Sequence, residues 1–251
     1  IMIKHLYGNN KIFVLKSFKK IIEFIIRFFL SFFYNFKYYQ KIIISTAIYA
    51  PWIDDKNFFN LFSTVKNLTI LDEARSYTLW YLSRSLKNVD GDILDIGCMK
   101  GGAGIIMSKA NQYKKTKTYF IDTFEGFAVS SGGHIKDKTF IYDNINELKN
   151  NIKSLRIKNF EIKKCRFPKN FKIKKKIKLC HLDINIYKDT LNAFIFVDKH
   201  LAKNGIVVFD DYGVFKVDEI LQTIKKIVKM KYANKYTIIY NYMGQCIMIK
   251  K

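Results

Sequence analysis

Three carboxylates in the second half of the chain each follow an apolar run. Asp183 ends Lys178-Leu-Cys-His-Leu, and Asp210-Asp211 ends Ile206-Val-Val-Phe. If two such runs are neighbouring strands of a parallel sheet, their acids meet at the carboxyl edge, where ligands bind in open α/β sheets. Several oxygen donors with no His or Cys among them suit Mg²⁺. A cation there would bind a hydroxyl, lower its pKa and hold the oxygen in line for displacement. One of the paired aspartates could instead cap the following helix. The pair together with Asp183 is harder to explain that way.

A second constellation lies upstream, in Gly91-Asp-Ile-Leu-Asp-Ile-Gly-Cys-Met-Lys-Gly-Gly-Ala-Gly104. Ile93, Leu94 and Ile96 form a short buried strand, Asp95 and Gly97 sit at its end, and a helix begins near Ala103. The spacing Asp95-x-Gly97-x-x-x-Gly101-Gly102 is not the G-x-G-x-x-G of a dinucleotide fold, and no Lys-Ser/Thr follows to make a P-loop. An acid before the first glycine suits a cationic ligand better than a pyrophosphate. The spacing is that of motif I in class I S-adenosylmethionine-dependent methyltransferases. Next comes Thr118-Tyr-Phe-Ile, a strand that ends in Asp122 and Thr123, where a carboxylate would hold a ribose diol. The alternative for Asp122 is a helix cap or turn. Ser130-Ser-Gly-Gly-His134 then reads as a lid loop, and His134 as a candidate acid or base or else a solvated loop residue.

Strands and helices alternate around these residues. Helices are predicted over about Asp54 to Ser63, Leu71 to Leu86, Ala103 to Tyr113, 143–156, Tyr187 to Leu201 and Lys216 to Lys231. The last carries Val217, Ile220, Leu221, Ile224, Ile227 and Val228 on one face. Short strands are predicted at Phe160 to Lys163 and Lys178 to Asp183. A hairpin of Thr237 to Tyr240 and Gln245 to Ile249 closes the sheet. The pattern predicts a Rossmann-like α/β domain over 51–251, a mostly parallel seven-stranded sheet with an antiparallel C-terminal hairpin.

Residues 1–50 read as a separate basic, apolar helical extension. From Lys19 to Tyr39 nearly every residue is Ile, Phe, Leu or Tyr, while Glu23, Arg27, Ser31 and Asn35 recur every fourth position on one ridge. Charges near the middle count against a spanning helix, at a cost of roughly 2.5–3.5 kcal/mol each. The interrupted run, with no small-x-small site near Ile48-Tyr49-Ala50, counts against a signal peptide. Two readings remain: peripheral contact of residues 11–45 with a membrane surface, or a helix that packs on a partner subunit or caps the site.

At 251 residues and 49% apolar content the chain can bury a sizeable core. The net charge of +23 fits either a compositional bias or an anionic partner. The absence of an RRM signature or zinc-finger spacing counts against nucleic acid, and the basic run from Lys158 to Lys178 reads as a strand and a solvated connection. Cys98, Cys165, Cys180 and Cys246 form no C-x-x-C pair and read as reduced cytoplasmic thiols.

Taken together, the Gly91–Gly102 stretch, Asp122-Thr-Phe-Glu-Gly-Phe, Leu182-Asp183-x-Asn185-x-Tyr187 and Asn204-Gly-Ile-Val-Val-Phe-Asp-Asp-Tyr-Gly213 resemble the macrocin O-methyltransferase family over about residues 70–250. The resemblance implies a class I enzyme that binds S-adenosylmethionine and Mg²⁺ and methylates a hydroxyl, often of a sugar. By position, Asp183, Asp210 and Asp211 match its metal-binding acids, and Asp183 could assist deprotonation. Asp95, Gly97, Gly101, Gly102, Asp122 and Thr123 match its cofactor positions. Three departures are visible: Asn185 replaces a second Asp, Asn204 replaces a Gly, and the first 50 residues are unlike the antibiotic-pathway members. The expected acceptor is a sugar, a glycan precursor or a related small metabolite, handled in the cytoplasm or at the inner membrane face, by a monomer or a homo-oligomer. The rivals are an RNA methyltransferase, or an inactive binding protein on the same fold.

Overall fold

The computed structural model describes residues 9–33, 43–44, 49–112, 115–126, 140–214, 217–230 and 232–251. They fall into two units, Ile1–Tyr49 and Ala50–Lys251. In the first, helix α1 spans Asn9–Ser31, starting earlier and ending sooner than its apolar run suggests. Among the described residues, no helix is long and apolar enough to cross a membrane.

The second unit opens with the turn α2 (Pro51–Asp54), started by its proline. Asp55 caps α3 (Lys56–Val65), its side chain accepting from the Phe58 amide at 3.1 Å. Asp72 caps α4 (Glu73–Ser85) in the same way, accepting from the Arg75 amide at 2.9 Å. The elements that follow are β1 (Asp92–Ile96), α5 (Gly102–Ala110), β2 (Thr118–Asp122), α6 (Ile145–Ser154), β3 (Phe160–Lys164), β4 (Ile177–Leu182), α7 (Tyr187–His200), β5 (Leu201–Phe209), α8 (Asp218–Lys229), β6 (Tyr236–Asn241) and β7 (Gln245–Lys250). The ends of these helices differ from expectation by at most three residues, as frayed termini do.

The seven strands lie in the order β3-β2-β1-β4-β5-β7-β6. β1 to β5 are parallel, and β7 pairs antiparallel with both β5 and β6. This is the doubly wound sheet with a C-terminal hairpin that the sequence predicts, and its order reverses at β1/β4, the switch point where ligands bind.

Helices cover both faces. Ile105 and Ile106 of α5 pack with α3 and α6 side chains on one side. Phe194 and Val197 of α7 and Ile220 and Ile224 of α8 pack on the other. Each such side chain removed from water contributes roughly 1.5–3 kcal/mol. Strand alternation decides what reaches each face. In β1, Leu94 and Ile96 face α7 and α8, so Ile93 and Asp95 turn toward α5.

Candidate active site

The carboxyl ends of β1, β2 and β4 open onto a cleft of about 660 Å³, within the range of small-molecule sites. Gly97, Cys98, Met99, Asp122, Thr123, His181, Asp183, Asn185 and Asp211 line it. Gly97 has φ +85, and a Cβ there would collide with the Asp183 carbonyl oxygen. A side chain at this position would push apart the tips of β1 and β4, whose pairing continues through Asp183 N–H to Ile96 O at 2.9 Å.

At one end of the cleft, the two carboxylate oxygens of Asp122 accept from the Met99 and Phe124 amides, both at 2.8 Å. Burial pushes the Asp122 carboxyl up, with these amides opposing it. Two amides use only part of a carboxylate's acceptor capacity, so the group can still receive a hydroxyl pair. Thr123 Oγ1 is tied to its own turn, accepting from the Glu125 amide at 3.3 Å.

At the other end, β4 and β5 bring the predicted acids together. Asp210 continues the ladder by donating its amide to Leu182 O at 3.0 Å. Ligand atoms of Asp183, Asp210 and His181 all lie within 4.8 Å of one another. Asp211 adjoins them: Asn185 Nδ2 donates to Asp211 Oδ2 at 2.8 Å and to Asp183 Oδ1 at 3.3 Å. Met99, Asn185 and Asp211 all have φ near +50, a backbone strain that tends to gather where function requires a fixed geometry. Burial pushes the Asp183 carboxyl well above the usual range, and the neighbouring charges of Asp210 and Asp211 add to it. Asp210 is raised by burial, opposed by His181 and Arg75.

Three partners of these acids were not foreseen. Arg75 of α4 donates through Nη1 to Asp210 Oδ2 at 2.6 Å and Asp211 Oδ1 at 3.1 Å, and through Nε to Asp72 at 2.8 Å. Gln245 of β7 donates to Asp210 Oδ1 at 3.0 Å. His181 brings a nitrogen to a ligand set expected to hold only oxygens. It is 1% exposed, and its Nδ1 lies 2.8 Å from Asp95 Oδ1. Burial works against its charge, but the Asp95 hydrogen bond and the charges of Asp95, Asp210 and Asp183 carry its pKa up to about 9. Its Nε2 is buried and has no hydrogen-bond partner among the described residues.

Asp95 itself is fully buried and does not line the cleft. Facing α5, it spends its second oxygen on the Gly104 amide at 2.7 Å. Gly101 and Gly102 also lie behind the lining. A Cβ on Gly101 would strike Leu148, and one on Gly102 would meet Leu68 and Thr69 at 2.6–2.8 Å. These three residues seat α5 behind the cleft. His134 lies outside the described residues.

The donor set is consistent with the groups that the fold implies. The Arg75 guanidinium, shared among Asp72, Asp210 and Asp211, and the His181 imidazole, tied to Asp95, still leave more carboxylates than cations around the cluster. Carboxylates favour Mg²⁺ or Mn²⁺ there, and the imidazole widens the choice toward softer ions. The Asp122 end offers a carboxylate and an apolar wall of Cys98, Met99 and Ile121, which suits a nucleoside.

The sheet order, the glycine turn at β1 and the acid ending β2 define a class I S-adenosylmethionine-dependent methyltransferase. Residues 82–235 match the Macrocin-O-methyltransferase (TylF) family, and the chain belongs to it. No curated protein matches the chain. Among solved structures, the O-methyltransferase NovP aligns at 14% identity and TM-score 0.63, over 73% of this chain and 82% of its own. The calicheamicin methyltransferase CalS11 aligns at 14% identity and TM-score 0.58, over 82% and 99%. An rRNA methylase from Streptococcus thermophilus aligns at 11% identity and TM-score 0.51, over 73% and 98%. At these identities the likeness is one of fold.

Proposed function

We propose that the chain is a Mg²⁺-dependent O-methyltransferase acting on a hydroxyl of a sugar, a glycan precursor or a related small metabolite. The observation that carries this reading is the juxtaposition of Asp183, Asp210 and His181, with Asp211 alongside, next to the cofactor cleft.

Methylation of a hydroxyl moves a methyl group from sulfonium to oxygen and releases a proton. Asp183, with Asp210 and Asp211, would hold the cation, and Asp122 and Thr123 the nucleoside end of S-adenosylmethionine. When bound, the cation lowers the pKa of a hydroxyl placed on it, and S-adenosylmethionine supplies the methyl. The chain's own residues position the acceptor and take up the proton. Asp183 lines the cleft, where its carboxylate can take up the proton. Asn185 bridges Asp183 and Asp211 by donating its amide nitrogen to both, and its buried Oδ1 has no partner among the described residues. Asn185 cannot take the proton, so that role falls to Asp183, with His134 as the second proposed acid–base group.

One observation favours a second reading. Arg75 already pairs with Asp210 and Asp211, so a protein cation could hold these acids without a metal. The two readings part under chelation. Turnover with labelled cofactor is followed on sugar nucleotides and glycan extracts. The metal-dependent reading expects EDTA to abolish it, added Mg²⁺ to restore it, and Asp210→Asn to lose most of it. Turnover that survives EDTA would transfer the role to Arg75.

A further inference from the structure

Helix α1 plays no part in the chemistry above, yet it carries much of the exposed apolar surface. Phe18, Phe24, Phe28 and Phe29, with Phe32 in the turn that follows, are 52–69% exposed, and Ile21 and Ile25 are 54% and 45% exposed. At 3.6 residues per turn they fall on one arc of roughly 140°. Lys19, Lys20, Glu23, Arg27 and Ser31 fall on the opposite arc, where, between Phe18 and Ser31, only Leu30 breaks the polar pattern. Glu23 is buried and pairs with Lys19 at 3.7 Å, which leaves the polar arc with an excess of positive charge. Phe28 meets Phe29 and Phe32 edge to face, with ring centroids 5.8 and 5.2 Å apart, so the rings form a continuous apolar ridge.

An aromatic ridge backed by lysine and arginine, on a helix that is not apolar enough to span, is the architecture of a helix lying in a membrane interface. We propose that α1 lies in the surface of an anionic bilayer, with its phenylalanines among the acyl chains and its basic arc at the headgroups. Charge complementarity selects this occupant. The chain carries +23, and an anionic leaflet attracts basic residues within about one Debye length. A second copy of the chain would bring like charge against like charge.

The test uses the full chain with sedimented vesicles of phosphatidylcholine, either alone or mixed with phosphatidylglycerol. Binding should be at least about tenfold greater on the anionic vesicles and should fall with added salt. Phe24→Ser/Phe28→Ser/Phe32→Ser should reduce it to the level of the neutral vesicles without lowering S-adenosylmethionine binding, because these side chains are exposed. In a second measurement, a Phe28→Trp reporter should be quenched by brominated acyl chains in the anionic vesicles. Equal binding to both vesicle types, an unquenched reporter, or a triple-serine variant that still binds would each overturn the proposal. So would a dimer in solution that the triple variant dissolves while vesicle binding is absent, since the ridge would then cover a second copy.

Discussion

At one end of the cleft Asp122 is held by the amides of Met99 and Phe124, both in turns that follow strand tips. At the other, Asp183, Asp210 and Asp211 are held by side chains of Arg75, Asn185 and Gln245, drawn from three separate stretches of chain. Backbone amides are fixed once the strands pair, whereas a side-chain lattice depends on every partner. The cofactor end is therefore built by local geometry and the acid end by tertiary assembly. Substitutions should separate the two. At the acid end they should affect turnover and cation response, and at the Asp122 end cofactor affinity.

The largest effect is expected from Asp183→Asn, which keeps the shape and removes the charge. Turnover should fall about 10³-fold, close to 4 kcal/mol of barrier, while affinity for S-adenosylmethionine stays within about threefold. Single-turnover assays with labelled cofactor and calorimetry read the two quantities separately. If affinity falls as far as turnover, the two ends form one unit. Next in size is Asp122→Ala. It removes a hydrogen-bonded carboxylate from the cofactor end and should weaken S-adenosylmethionine binding by about 10- to 100-fold, the worth of roughly 1.5–3 kcal/mol of charge-assisted bonding. Stabilisation by Mg²⁺, measured as a shift in melting temperature, should be unchanged. Loss of that shift would show that Asp122 supports the cation as well.

The same contrast explains what could be read from the sequence. Asp122, Asp183 and Asp210 were legible because each ends an apolar run, and an apolar run in an α/β pattern is a buried strand with its ligand edge at the carboxyl tip. Asp95 shared that signal, but its place inside β1 rather than after it turns the side chain under α5. His181 left a trace that could have been used: a polar residue within a buried run, two positions before Asp183 and hence on the same face. Arg75 left none. It lies 135 residues from Asp210, on a helix whose own pattern gives no reason to single it out. Gln245 becomes legible only when the register Phe209 to Cys246 sets the start of β7 beside the end of β5.

The smallest predicted effect is the sharpest test of the acid end. Asn185→Asp exchanges the amide nitrogen that donates to Asp183 and Asp211 for an acceptor. The backbone should tolerate the change, since Asp and Asn both accept the left-handed conformation seen here at φ 57. The cost is therefore electrostatic: two hydrogen bonds lost and one more carboxylate among acids already short of positive charge. In EDTA the variant should lose about 1–3 kcal/mol of stability by urea denaturation, the penalty for unsatisfied buried acceptors. With Mg²⁺ present most of that loss should disappear, because a divalent ion gains affinity from the added charge and stabilises the state that binds it. An equal loss in both buffers would mean that no metal cation is shared there, and that Arg75 and His181 balance the cluster.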